Sequence, residues 1–358
     1  MIDPFSNLNY NVTIPFSQEA FMGKTIKSKD LAEMLGISPA TVSMVINDRP
    51  GISDATRQMV LDKLKEVGYD FSAKQNKSQK NQMIYFAIYK AHGQVVSDTP
   101  FFLQLTEGIE SQAKAYGCRL QITYIYDVAN IRGDFPLIHT PECKGIIVLA
   151  TEMDLATAQA FASLGCPIVF LDSYFEDIDA DFVVINNEQA ARHATRHLIE
   201  HGHKDIGYLH SKYHINNFSE RKNGYHKALT TAGLPIHSSY EFKLTPATED
   251  AYRELKELLE QHPDLPTAFF ADNDNIAIAA IKAFKESGCR VPEDISITSI
   301  DDIPMCEFID PPLTTMQVPK HQLGYLAVKR LVTNYDRKDH EIVKIEVKTR
   351  LIERESVR

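Results

Sequence analysis

The chain has 358 residues, 44% of them hydrophobic and 24% charged, with a net charge of -10. This is the composition of a folded protein with two or three domains and an ample core, and it excludes a small stapled scaffold. The five cysteines, Cys118, Cys143, Cys166, Cys289 and Cys306, form no C-x-x-C pair and no metal spacing, so they read as buried thiols in a reducing cytosol.

No continuous apolar run is long enough to span a bilayer. Charge is unevenly spread. Residues 1–23 carry -2, residues 24–80 carry +3 and residues 81–358 carry -11. A mildly basic segment on an acidic body confines phosphate attraction to that segment. The first 23 residues hold no Lys or Arg and no continuous apolar core, so they do not read as a signal peptide. They read as a disordered extension or as an upstream, misassigned start.

The next stretch, SKDLAEMLGISPATVSMVIN, holds two short helices. Ser28 caps the first, with Asp30 in its first turn and Leu31, Met34 and Leu35 on one apolar stripe, and Gly36 stops it. Ile37, Ser38 and Pro39 make a tight turn with a second capping hydroxyl and a proline at the first helical position. Val42, Val45 and Ile46 then face inward, leaving Pro39, Ala40, Ser43, Met44 and Asn47 outside. Two short helices joined by such a turn make a helix-turn-helix, whose second helix fits a DNA major groove. Ser53 caps a third helix carrying Val60, Leu61, Leu64 and Val67, closed by Gly68. The domain therefore runs over residues 24–69, and the polar segment at residues 70–82 reads as a linker or hinge.

From Met83 onward, short apolar runs alternate with helical periods, which implies parallel sheets with crossover helices. MIYFAIYK, RLQITYIY, GIIVLA and PIVFL form one set of strands. A second set begins near Val183 and includes IGYL, TAFFA and SITSI, with helices from Glu188 to His201 and from about Asn275 to Ser287. His193, His197 and His201 are spaced four apart with His203 close behind, a metal-binding possibility. Ala194 stands where a zinc-protease motif needs Glu, so they read as surface or capping histidines. No G-x-S-x-G, Walker loop or G-x-G-x-x-G occurs, and neither enzyme activity nor a cofactor is expected.

The helix-turn-helix and its continuation SDATRQMVLDKLKEVGY resemble the head of the lactose-repressor (LacI/GalR) family of bacterial transcription regulators. Further phrases follow in family order: ARHATRHLIEHGHKDIGYL, ERKNGYHKAL, FFADNDNIAIAAI, VPEDISITSIDD, PPLTT and LIERES. The resemblance covers nearly the whole chain. It implies an all-α helix-turn-helix head on an α/β, two-lobed, periplasmic-binding-protein-like body with doubly wound parallel sheets over residues 83–358. Met22 followed by GKTIKSKD resembles a family-typical beginning, and the stretch from Thr314 is expected to recross to the first lobe. No C-terminal heptads follow LIERES, so the expected assembly is a homodimer in the bacterial cytoplasm, associated with the nucleoid and with no membrane.

The resemblance assigns DNA readout to the second helix: Ser38, Pro39, Ala40, Thr41, Ser43, Met44 and Asn47. Met44 occupies a place where the family usually has a basic group, so readout falls to apolar contacts with thymine methyls and to the small polar side chains. In the hinge, Phe71, Ser72, Gln75, Asn76 and Ser78 depart from the family pattern and leave no apolar wedge, while Lys74 and Lys77 are placed for phosphates. The effector positions carried over are Phe101, Phe102, Asp172, Arg221, Asn273 and Asp301, a set suited to a sugar. Two departures, Asn186-Asn187 for Asp-Asn and Ser299 for Gly, point to an unusual effector. The implied function is an effector-responsive repressor of carbohydrate-related genes at a palindromic operator. A sugar-binding sensory module whose head contacts protein remains the alternative.

Overall fold

The computed structural model describes residues 28–46, 51–66, 82–96, 100–334 and 341–358. The chain divides into two compact units between Lys77 and Ser78. The proposed extension over residues 1–23, Asn47, Val67, Gly68 and the hinge residues from 70 to 81, Lys74 and Lys77 included, lie outside the described residues.

In the first unit, α1 (Ser28–Leu35), α2 (Pro39–Ile46) and α3 (Asp54–Glu66) surround a small core of Leu31, Ala32, Val42, Val45, Val60 and Leu64. Gly36, at φ +65, reverses the chain after α1 in a backbone region that costs glycine nothing. Ser38 Oγ accepts the Thr41 amide at 3.0 Å, and Ser53 Oγ accepts that of Thr56 at 3.3 Å, so the expected caps of α2 and α3 form. Met34 departs from expectation. It is exposed, and Ala32 holds the buried position that the apolar stripe assigned to it, because the core is too small to take a third large side chain from one eight-residue helix.

The second unit contains two six-stranded sheets. Lobe 1 joins β1 (Met83–Tyr89), β2 (Arg119–Ile125), β3 (Cys143–Leu149), β4 (Ile168–Leu171), β5 (Asp181–Ile185) and β11 (Lys344–Val347) in the order β11-β5-β4-β3-β1-β2, all parallel. Lobe 2 joins β6 (Ile206–Ser211), β7 (Glu241–Leu244), β8 (Ala268–Ala271), β9 (Ser296–Asp301), β10 (Thr314–Gln317) and β12 (Arg350–Ile352) in the order β12-β10-β9-β8-β6-β7. Among the described residues, only the β10–β12 pairing is antiparallel.

Every residue of β1 is buried, with Ile84, Phe86 and Ile88 entering one core and Met83, Tyr85, Ala87 and Tyr89 another. Both faces are therefore covered, which is why parallel strands read as continuous apolar runs. The crossover helices are α4 (Pro100–Ala115), α5 (Leu155–Ala162), α6 (Asn187–Glu200), α7 (Asn216–Thr231), α8 (Thr248–Leu259), α9 (Asp274–Glu286) and α10 (Lys320–Asn334). Against α4, α10 packs glycine to backbone: a Cβ on Gly108 would lie 2.7 Å from the His321 carbonyl oxygen, and one on Gly324 would lie 2.7 Å from the Ile109 nitrogen.

The chain crosses between lobes three times, after β5, after β10 and after β11. Two sequence expectations change here. Val183 belongs to lobe 1, whose sheet takes β5, so the second lobe starts at α6. The strand at Thr314 stays in lobe 2, and the recrossing begins with α10. Three of the five cysteines are buried as expected, while Cys166 and Cys289 are partly exposed. His197 and His203 are also buried, so the surface reading fails for them, while His201 terminates α6. Packing of α6 against the lobe 2 sheet encloses the lower end of the helix and its following turn.

Candidate functional site

Parallel strands end together, so the loops beyond their carboxyl ends collect side chains in one crevice. Asp172 directly follows β4, Thr151 lies two residues past β3, Asn273 lies two past β8, and Asp301 is the last residue of β9. The six predicted effector residues, Phe101, Phe102, Asp172, Arg221, Asn273 and Asp301, line one cavity together with Val95, Thr151, Ile215, Asn217, Phe218, Asn275 and Ile303. Its volume is about 40 Å³, and residues of both lobes border it.

Arg221 is buried on α7 and fixed at three of its nitrogens. Nε donates to Asn187 Oδ1 at 2.9 Å, Nη1 donates to the Asp272 carbonyl, and Nη2 faces Asp301 Oδ1 at 3.7 Å. Its guanidinium also lies 5.6 Å from the centre of the Phe218 ring. Across the cleft, Asp172 Oδ2 accepts from Thr151 Oγ1 at 2.6 Å and from Asn217 Nδ2 at 3.2 Å, the latter bond spanning the two lobes. Burial pushes the Asp172 carboxyl above its usual range against those hydrogen bonds and Arg221. Asp301 is pushed up to about 7, first by burial and then by the neighbouring Asp274, although Arg221 and Lys320 oppose the shift. Both carboxylates sit at positive φ, 75 for Asp172 and 129 for Asp301, and Asp302 follows at 56. Such backbone strain outside glycine clusters at ligand sites.

Asn273 does double duty: Oδ1 caps α9 by accepting the Ile276 amide at 2.9 Å while the side chain borders the cavity. Phe101 and Phe102 meet edge to face, 4.9 Å between ring centres, and the Lys320 ammonium lies 5.5 Å from the Phe101 ring. Lys320 also donates to the Asp301 and Asp302 carbonyls at 2.5 and 3.0 Å. A loop from lobe 1 closes one side. Glu152 accepts the amides of His92, Gly93, Val95 and Val96 at 2.8 to 3.1 Å. Burial pushes this carboxyl up, but the four amides outweigh it and hold the group below its usual range. The anchored loop places Val95 in the cavity and stacks His92 on Tyr213 of lobe 2, 4.4 Å between ring centres.

The departures at Ser299 and Asn186-Asn187 have structural reasons. Ser299 Oγ donates to Asp274 Oδ1 at 2.5 Å, Asn186 caps α6, and Asn187 bridges Arg221 and Glu220. None of the three lines the cavity, although Asn187 fixes Arg221, which does. Sequence reading missed Thr151, Asn217 and Phe218. The polar run INNFSER ahead of Arg221 was the signal for the last two, since helical spacing sets Asn217 and Phe218 one turn before Arg221.

In the head, Ser38, Pro39, Ala40 and Ser43 are exposed, and Thr41 and Met44 are partly so. The Ser38 and Thr41 hydroxyls are 2.8 Å apart within the cap. The Met44 methyl lies beside Gly51, where a Cβ would sit 3.6 Å away. No helix among the described residues is long and apolar enough to cross a membrane.

Residues 27–71 match the family model for bacterial regulatory proteins of the lacI family, and residues 195–357 match that for a periplasmic binding protein-like domain. The HTH-type transcriptional repressor PurR of Mannheimia succiniciproducens is 32% identical over 334 residues, 92% of this chain and 98% of that protein. PurR of Haemophilus influenzae is 32% identical over 337 residues, with the same coverage. Among solved structures, the complex of the transcriptional regulator CelR with cellobiose is 26% identical with a TM-score of 0.68, covering 93% of this chain and all of that one. The lac repressor dimer bound to operator and an anti-inducer shares the fold, with a TM-score of 0.66 at 23% identity, covering 93% of this chain and 99% of that one.

Proposed function

Because the chain belongs to the lacI family of bacterial regulatory proteins, and is a DNA-binding transcriptional repressor with a ligand-binding domain, we propose that a sugar in the interlobe cleft sets its operator affinity. The observation that carries this reading is the convergence of Arg221, Asp172 and Asp301 with the rings of Phe101, Phe102 and Phe218 in one interlobe cavity. Carboxylates and a guanidinium fork suit vicinal hydroxyls, and aromatic faces suit the apolar side of a sugar ring. The CelR structure, similar along most of this chain, holds cellobiose, which supports the same class. A ligand held by residues of both lobes couples its binding to their relative position.

The palindromic operator is read by a homodimer through Ser38, Pro39, Ala40, Thr41, Ser43, Met44 and Asn47, with Lys74 and Lys77 on phosphates. Exposed Ile122, Tyr124 and Tyr126 on lobe 1 and Phe308 on lobe 2 are apolar surface that a second copy would cover. Selection of genomic fragments by the purified protein at two salt concentrations, with and without a sugar library, tests the whole reading. The expected result is one palindrome whose binding weakens with salt and shifts with one sugar. Enrichment without any sugar response overturns the effector class alone. No enrichment overturns the assigned DNA contacts and favours a protein partner for the head.

A further inference from the structure

Lys320 is the first residue of α10, where the helix dipole disfavours a cation, and no acidic side chain stands in that first turn to offset it. It is nonetheless buried, 5% exposed, and makes no ion pair among the described residues. Lysines are almost never buried without a partner. Here the ammonium donates to three carbonyls, those of Asp301, Asp302 and Val318, at 2.5, 3.0 and 3.4 Å, which uses all three of its N–H groups. Two of these acceptors belong to the positive-φ pair, Asp301 at 129 and Asp302 at 56. Such backbone persists only where its surroundings hold it. The two ends of the contact also belong to different lobes. On the lobe 1 side, α10 packs on α4 with Gly108 and Gly324 at backbone contact, and the ammonium lies 5.5 Å from the centre of the Phe101 ring. On the lobe 2 side, Asp301 ends β9.

We propose that Lys320 is a positioning residue for the effector: anchored in lobe 1, its ammonium holds the Asp301-Asp302 turn of lobe 2, so that the Asp301 carboxylate meets the ligand in fixed register with Phe101. This rests on the reading of the cleft as a sugar site and adds to it a residue that does not line the cavity. The Asp301 carboxylate accepts no hydrogen bond among the described residues and faces Arg221 Nη2 at 3.7 Å. Its orientation therefore depends on that one ion pair and on the main chain that Lys320 holds. The charged groups acting on Asp301 are Arg221 on α7, Asp274 at the start of α9, Lys320 on α10 and Asp172 after β4. Burial pushes the carboxyl up and Lys320 opposes the shift, so loss of the ammonium raises it further.

Lys320→Met replaces the ammonium with an apolar chain of similar length. Calorimetry of the full chain with a panel of neutral mono- and disaccharides, cellobiose included, should show binding roughly tenfold weaker than in wild type. A second readout needs no ligand. The melting temperature of the unliganded protein falls as pH rises through the Asp301 titration, and Lys320→Met should move that fall upward by about one pH unit. In an Asp301→Asn background the same substitution should leave the remaining pH profile in place. Lys320→Gln, which keeps a donor for the carbonyls but no charge, gives the same comparison if the apolar variant does not fold. Equal sugar affinity in wild type and Lys320→Met overturns the positioning role and leaves the sugar reading standing. A pH profile that does not move, or that moves equally without Asp301, overturns the path through Asp301. Failure of every sugar to bind the wild type overturns the sugar reading instead, and the ligand-free pH profile then decides whether Lys320 acts on Asp301.

Discussion

Lobe 1 lines the cleft with Asp172, held by a threonine and an asparagine, and with the rings of Phe101 and Phe102, whereas lobe 2 sets Arg221 and Asp301 on a layer of buried carboxylates. Asp274, fully buried at the start of α9, accepts from Ser299, Thr315, the Ile303 amide and the Cys306 thiol. Asp272 is likewise enclosed. The difference teaches how one topology can supply two mechanical roles. The lobe 2 wall is pre-positioned by polar bonds inside its own core, while the lobe 1 wall depends on a loop pinned at one carboxylate, Glu152, and on contacts made to lobe 2.

The largest expected effect comes from emptying the lobe 2 layer. Asp274→Ala strands several buried donors and should cost about 4 kcal/mol in denaturant unfolding. Arg221→Ala should cost about 3 kcal/mol and weaken sugar binding roughly 100-fold, because Asp301 and Asn187 lose the group that orients them. In lobe 1, Glu152→Ala should cost about 2 kcal/mol and loosen residues 92–96. Hydrogen exchange should show their amides deprotected while the β8 and β9 amides stay protected. If lobe 2 loosens equally, the asymmetry between the lobes is broken.

The smallest effect is a pH slope. Folding raises the Asp301 carboxyl from 3.8 to about 7, so its contribution to stability is complete below about pH 4 and is lost as pH rises through about 7. Asp272, raised to about 6, acts in the same direction. Between pH 7.5 and 5.5 the melting temperature of the unliganded protein should rise, and Asp301→Asn should reduce that rise.

Much of this was legible in the sequence, for identifiable reasons. Ser38, Pro39 and Ser53 announce helix starts through local chemistry, and both caps form. The six cleft residues were carried over by a family resemblance; Asp172, Asn273 and Asp301 meet at strand ends, while Phe101, Phe102 and Arg221 reach the cavity from helices. What stayed hidden depends on packing that no local pattern records. His197 and His203 look like surface residues until α6 meets the lobe 2 sheet, and Met34 looks like core until the small head fills without it. The Ser299 hydroxyl serves Asp274 at the start of the preceding helix, a partner that no local pattern announces.

The three lobe crossings have a consequence for synthesis. The lobe 1 sheet takes its last strand, β11, only after all of β6 to β10 has been made, and β12 then completes lobe 2. Neither lobe can finish while the ribosome is still producing the residues before 344, so vectorial folding cannot complete one half before the other is made. A nascent chain stalled between α10 and β11 would hold two sheets with open edges, a natural client for a chaperone that masks unpaired strands.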